Sequence, residues 1–272
     1  MHMAHELAKM TWKEAAEVFK KAPLALVPVG SIEQHGPHMP LGTDMILASE
    51  LARRAAALVP EAVLVPAIPV GYAAYHGDFP GTLSTSPATL ATYLGDICHH
   101  LVRHGITHII FVNGHGGNLS TLELVGRELR RKGIAAATVL WWDVAGAYNP
   151  AWGLRGHGDV VEASMVMGVD PSLVRLEEAA IPRNKSLTEN LPILDGTNCR
   201  FGKGIVKIHL HTRDVSDTGD MMEYGHAQGV DYTTSPREAT AEQGREILDL
   251  VSRYIADFAR EFLRVKLSPL AG

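Results

Sequence analysis

Apolar and polar positions along the chain follow two periods in turn. A continuous apolar run of strand length occupies Leu24–Val29, and Ile106–Val112 reads as another strand. Such runs suit parallel strands covered on both faces. Glu61–Val70 reads as a further strand interrupted by prolines, Ile134–Trp142 as another, and Gly204–His211 as one more. Helical spacing fills the intervals. Thr11-Trp-Lys-Glu14 has the form of a capping box that opens a helix to Lys21, stopped by Pro23. Met45–Leu58 places Ile46, Leu47 and Leu51 on one face, with Pro60 beyond its end. Ser86 and Pro87 cap a helix carrying Leu90, Leu94, Ile97 and Leu101, which Gly105 closes. Ser120-Thr-Leu-Glu123 predicts a second capping box, with its helix ending at Gly133. Val160–Val166 reads as helix, and Arg237–Val265 as a long amphipathic helix striped by Val251, Ile255, Phe258 and Phe262. Residues 182–203, rich in Pro, Asn and Gly, read as a long loop.

Strand and helix in alternation predict an α/β fold with a mainly parallel sheet between helical layers, in one domain over residues 1–272. Composition narrows the function classes. Hydrophobic residues make up 46% and charged residues 20%, which excludes disordered and collagen-like chains. The net charge of -5 offers no electrostatic case for nucleic acid or an anionic membrane surface. No apolar run approaches the roughly 20 residues of a membrane helix. The opening Met-His-Met-Ala-His-Glu lacks the order of a secretory signal. Cys98 and Cys199 make neither a disulfide framework nor a thiolate zinc site, and a reducing cytoplasm is expected.

Sites in open parallel sheets gather where strands end at their carboxyl edge. Two such ends carry metal-ligand residue types. The first strand runs into a segment with Glu33, His35 and Asp44, and the Ile106–Val112 strand runs into Asn113-Gly-His115-Gly-Gly-Asn118. Glu33 and His35 lie two apart, on one side of an extended backbone, and form half of a divalent-metal shell. Asp44 can bridge two ions, and His115 can close the first shell from the neighbouring strand. A third patch holds His157, Asp159 and Glu162, where Glu162 can complete a second shell and His157 can move protons. Tyr72, Tyr75, Trp141 and Trp142 are candidate pocket walls, with His76, Asp78 and Arg155 as candidate substrate-binding groups. His99, His100 and His104 read as packing or surface residues. His209 and His211 alternate on a strand without a placed carboxylate. Serine-hydrolase, nucleotide-hydrolase and dinucleotide motifs are absent.

The segment Val27-Pro-Val-Gly-Ser-Ile-Glu33-Gln-His35 through Gly42-Thr-Asp44 resembles the signature of the creatininase (creatinine amidohydrolase) family. Phe79-Pro-Gly-Thr82, the Asn113–Asn118 motif and His157–Glu162 follow in the family's order, and the resemblance spans residues 8 to 262. It implies a three-layer α/β/α fold, a two-metal hydrolase using zinc, manganese or iron, and a homohexamer acting on a small molecule. Carried across, Glu33, Asp44 and His115 bind one ion, His35 and Asp44 the second, and His157 is the acid/base. Creatininase itself has a glutamate ligand where this chain has Gly117, and Glu162 is the candidate replacement. The resemblance implies hydrolysis of the C–N bond of a small, often cyclic amide. The alternatives are C–C ring opening of an oxidised inositol and, in a different class, a metal- or sugar-binding protein without turnover.

Overall fold

The computed structural model describes residues 4–153, 156–180, 187–195, 198–216 and 235–270. Five strands, β1 (His5–Glu6), β2 (Leu24–Val29), β3 (Ala62–Leu64), β4 (His108–Asn113) and β5 (Ala135–Leu140), form one sheet in the order β1-β3-β2-β4-β5. Every pairing in it is parallel. All residues of β2 and β4 are buried, including His108 and Asn113 at the two ends of β4.

Alternation within these strands feeds two cores. Leu24, Leu26, Ile110 and Val112 face one layer, made by α2 (Thr43–Ala56), α6 (Val160–Val169) and α8 (Ala241–Phe262). Ala25, Val27, Val29, Ile109 and Phe111 face the other, made by α3 (Pro87–Arg103) and α4 (Leu119–Arg131). The fold is therefore the expected three-layer α/β/α. Helix α1 (Trp12–Phe19) begins with the anticipated capping box, in which Glu14 N–H donates to Thr11 Oγ1 and Thr11 N–H to Glu14. Ser86 caps α3 by accepting from Thr89 N–H at 3.1 Å.

Five expectations are corrected. The Glu61–Val70 strand shrinks to β3, followed by a single bridge between Val29 and Ile68, because Pro66 and Pro69 have no N–H for a ladder. The Ile134–Trp142 strand stops at Leu140, and Trp141–Tyr148 forms α5, which seats Trp141 fully in the core. Ser120 caps nothing: α4 starts at Leu119 out of a 3-10 turn, and Glu123 pairs with Arg127 at 2.6 Å. The 182–203 region is not all loop. β6 (Ile193–Asp195), β7 (Asn198–Phe201) and β8 (Gly204–Lys207) make a second, antiparallel sheet. Gly202, at φ +57°, turns the β7–β8 hairpin. The expected Gly204–His211 strand stops at Lys207, so His209 and His211 do not alternate on a strand; His211 instead precedes a short helix, α7 (Thr212–Val215). No described helix is long and apolar enough to cross a membrane.

Candidate metal centre

β2 and β4 end side by side, with Val29 in register with Asn113. Their following loops therefore meet at the carboxyl edge of the sheet. The first loop carries Glu33 and His35 and returns into α2, whose first turn holds Asp44. The second carries His115. Gly114 lets the two loops touch, since a Cβ there would lie 2.2 Å from the Asp44 carbonyl oxygen. The two asparagines of the second loop act as ties. Asn113 Nδ2 donates to His115 O at 2.7 Å, and Asn118 Nδ2 donates to Gly30 O at 3.0 Å. Asn118 Oδ1 accepts from Tyr72 N–H at 3.0 Å, joining a third loop to the same edge. Asp159 caps α6 by accepting from the N–H groups of Val161 and Glu162, which points Glu162 back toward the loops.

Three carboxyl groups converge here, with Glu33, Asp44 and Glu162 exposed by only 1%, 2% and 5%. Among the described residues, no Lys or Arg pairs with any of them; their neighbours are histidines. Asp44 is divided between two imidazoles. Its Oδ1 lies 3.1 Å from His35 Nε2, and its Oδ2 lies 3.3 Å from His115 Nδ1. His115 Nδ1 is also 3.1 Å from Glu33 Oε2, and His35 Nε2 is 4.0 Å from Glu162 Oε2. His157 Nδ1 and His76 Nε2 approach Glu33 Oε1 at 4.0 and 3.4 Å. Both Glu33 oxygens and Asp44 Oδ2 are buried without a hydrogen-bond donor.

Outer contacts set the state of each ring. His115 Nε2–H donates to Tyr72 O at 2.9 Å, and His35 Nδ1–H donates to Glu33 O at 3.2 Å. His157 Nε2–H donates to Gln34 O. Each of these rings spends its outer N–H on a backbone carbonyl and, when neutral, turns an inner lone pair toward the carboxylates. Metal-bound histidines are oriented in this way. Lone pairs facing carboxylate oxygens need a positive charge between them, either a proton or a metal cation. The donor set of buried carboxylates and imidazoles, with orphaned oxygens inside it, fits divalent cations such as zinc or manganese.

Without a cation, protons must supply that charge. Burial alone would lower His35, but the Asp44 carboxylate, followed by Glu162 and Glu33, overrides it and pushes His35 up to about 10. His115 is likewise held well above the usual range: burial opposes the shift, and Glu33 is the leading group that drives it. Burial would raise Asp44, yet His35 and then His115 hold its carboxyl far below the usual range. Glu162 goes the other way. Burial, reinforced by Asp159 and Asp44 and opposed by His35, pushes it up to about 8. His157 is kept neutral, chiefly by burial and then by His35.

Glu33, His35, Asp44, His115, His157 and Glu162 are thus brought together from three separate stretches of chain. Tyr75 joins them through its hydroxyl, 3.2 Å from His115 Nε2. His76, expected as a substrate-binding group, sits inside the cluster against Glu33. Asp78 is half exposed and pairs with His211 at 3.0 Å. Trp142 packs edge-on to Trp141 and against the core, so its visible role is packing. Arg155 lies outside the described residues. At Gly117 the space is filled: a Cβ there would lie 2.2 Å from Tyr72 O and 2.4 Å from His115 Nε2. Gln34, Thr212 and the Tyr72 carbonyl were not anticipated, because a backbone acceptor or a distant hydroxyl leaves no motif.

A parallel α/β/α scaffold with a buried carboxylate–imidazole nest at its strand ends offers a site that could hold divalent cations. A family model, Creatininase: Creatinine amidohydrolase, matches residues 8–259, and the chain belongs to the creatininase family, whose members are hydrolases. The creatinine amidohydrolase of Pseudomonas putida is 32% identical over 196 residues, covering 63% of this chain and 74% of its own. The mycofactocin precursor peptide peptidase of Mycobacterium tuberculosis is 32% identical over 241 residues, covering 83% of this chain and 80% of its own. Among solved structures, a manganese creatininase superposes with a TM-score of 0.73 at 25% identity, covering 96% of this chain and 100% of that one. A Zn-Zn form of a creatininase variant gives 0.71 at 26%, covering 96% and 99%.

Proposed function

We propose that this chain is a metal-dependent amidohydrolase that cleaves a C–N bond of a small amide. In this reading Glu33, Asp44 and His115 hold one divalent ion, and His35, Asp44 and Glu162 hold a second. The observation that carries it is the division of Asp44: its two oxygens face two different histidines, each with a further buried carboxylate beside it. Glu162 supplies from α6 the carboxylate that Gly117 cannot supply from its filled loop. Divalent ions bound by these residues would supply Lewis acidity toward a water and the substrate carbonyl.

The chain's own groups do the rest. His157 is neutral, and its Nε2–H is fixed on Gln34 O, so Nδ1 is free to take a proton and return it to the leaving nitrogen. Tyr72 O and Glu33 O lock the ring orientations of His115 and His35. The names of the Pseudomonas and Mycobacterium relatives both denote amide cleavage, which favours C–N over C–C hydrolysis. A homohexamer belongs to the same reading, and sedimentation at several concentrations tests it. The activity itself is tested with a panel of creatinine, a simple lactam, short peptides and a cyclic polyol diketone, using metal-free and zinc- or manganese-restored protein. The reading expects metal-restored cleavage of an amide. Full activity in verified metal-free protein, or turnover of the diketone alone, would overturn it.

A further inference from the structure

Of the four imidazoles around Glu33, His76 is oriented oppositely to the rest. Its outer nitrogen, Nδ1, faces Gln34 Nε2 at 2.9 Å and Thr212 Oγ1 at 2.6 Å. The Gln34 amide can be assigned, because its Oε1 accepts from Gly36 N–H at 2.9 Å, so its nitrogen end points at His76. An amide NH₂ only donates, and His76 Nδ1 must therefore accept. In the neutral ring the proton then sits on Nε2, which faces Glu33 Oε1 at 3.4 Å, a charge–dipole approach and not a formed hydrogen bond. The ring is buried and stacked on His157, with centroids 4.4 Å apart and planes 16° from parallel.

His35, His115 and His157 offer lone pairs to the cluster, whereas His76 offers an N–H. Geometrically, Glu33, His76 and His157 would pass as a ligand triad, since their donor atoms lie within 4.8 Å of one another. The tautomer argues against that, because a nitrogen carrying its proton has no lone pair for a metal. We infer that His76 is a positioning residue, not a metal ligand: its Nε2–H steadies the Glu33 carboxylate, the Gln34 amide selects that tautomer, and the Thr212 hydroxyl anchors the same ring nitrogen. The inference rests on the reading of Glu33 as a ligand. It also gives α7 a purpose. Thr212 comes from a segment 136 residues beyond His76, and the same segment grips the loop through His211 on Asp78 and Arg213 over the Phe79 ring. The site's second layer is thus tied to the chain that follows the small sheet.

The test uses ¹⁵N-histidine-labelled protein, metal-free and zinc-loaded, with the His76 signals assigned by their loss in His76→Gln. Proton–nitrogen correlation spectra should show His76 as the Nε2–H tautomer in both states. Zinc counting and chelator competition then compare wild type, His76→Phe and His76→Gln. The expected result is an unchanged number of ions in all three proteins. His76→Phe should bind zinc about 10–100-fold more weakly, and the amide of His76→Gln should recover most of that loss. Loss of one whole ion in both variants, loss of the Nε2–H on zinc loading, or wild-type affinity in His76→Phe would overturn the inference. A wild type that takes up no divalent ion would sink the proposed function instead, and the metal-free spectrum would still decide the tautomer.

Discussion

The two sheets of this protein obey different rules. In the five-stranded parallel sheet, β2 and β4 are buried at every position and sealed by helices on both faces. In the three-stranded sheet, all of β8 is exposed, with Phe201, Ile205 and Val206 open to solvent. The first sheet is held by side-chain burial, so its strand ends are fixed points to which ligands can be attached. The second buries only Ile193 and Cys199 among its described side chains and leaves β8 in solvent, and no residue of the carboxylate–imidazole cluster comes from it. Chemistry that needs atoms placed within a few tenths of an ångström belongs on the first.

That contrast can be broken by substitution. The largest effect is expected at Asp44, which faces both halves of the cluster. Asp44→Ala should lower kcat/KM on the best amide of the panel by about 10³-fold or more, because metal assistance is worth several kcal/mol. Elemental analysis should show fewer bound ions. Next comes the sheet beneath it. Leu26→Ala, at a fully buried β2 position, should cost about 2–5 kcal/mol in denaturant unfolding. Gly117→Ala forces a methyl against Tyr72 O and the His115 ring and should cost about 1–3 kcal/mol, with weakened zinc binding. The smallest effect is expected in the second sheet, where Ile205→Ser should stay within about 0.5 kcal/mol of wild type. A cost at Ile205 matching that at Leu26 would erase the distinction between the two sheets.

The same contrast explains what was legible in the sequence. β2, β4, α3 and α8 are readable because apolar periodicity reports burial, and burial is what makes them. Glu33, His35 and Asp44 are readable because adjacent positions on one loop must converge. β6 and β7 were hidden in a Pro-, Asn- and Gly-rich stretch, since a sheet with an exposed strand such as β8 need not be apolar. α5 was hidden behind Trp141 and Trp142, which suit a strand locally but start a helix once Trp141 is drawn into the core. Ser120 looked like a cap, yet the ties made by Asn118 and the 3-10 turn before it set the helix start. His76 showed its residue type but not its role, because Gln34 and Thr212 reach it only after folding.

On the proposed reading, Asp44 joins two cation sites at the carboxyl edge of the parallel sheet. Anomalous diffraction from crystals of zinc- or manganese-loaded protein tests it most directly. The account predicts two anomalous peaks flanking Asp44, one beside Glu33 and His115 and the other beside His35 and Glu162. A map with no peak at that edge, or with ions bound elsewhere while Asp44 remains paired only to protonated histidines, would contradict it.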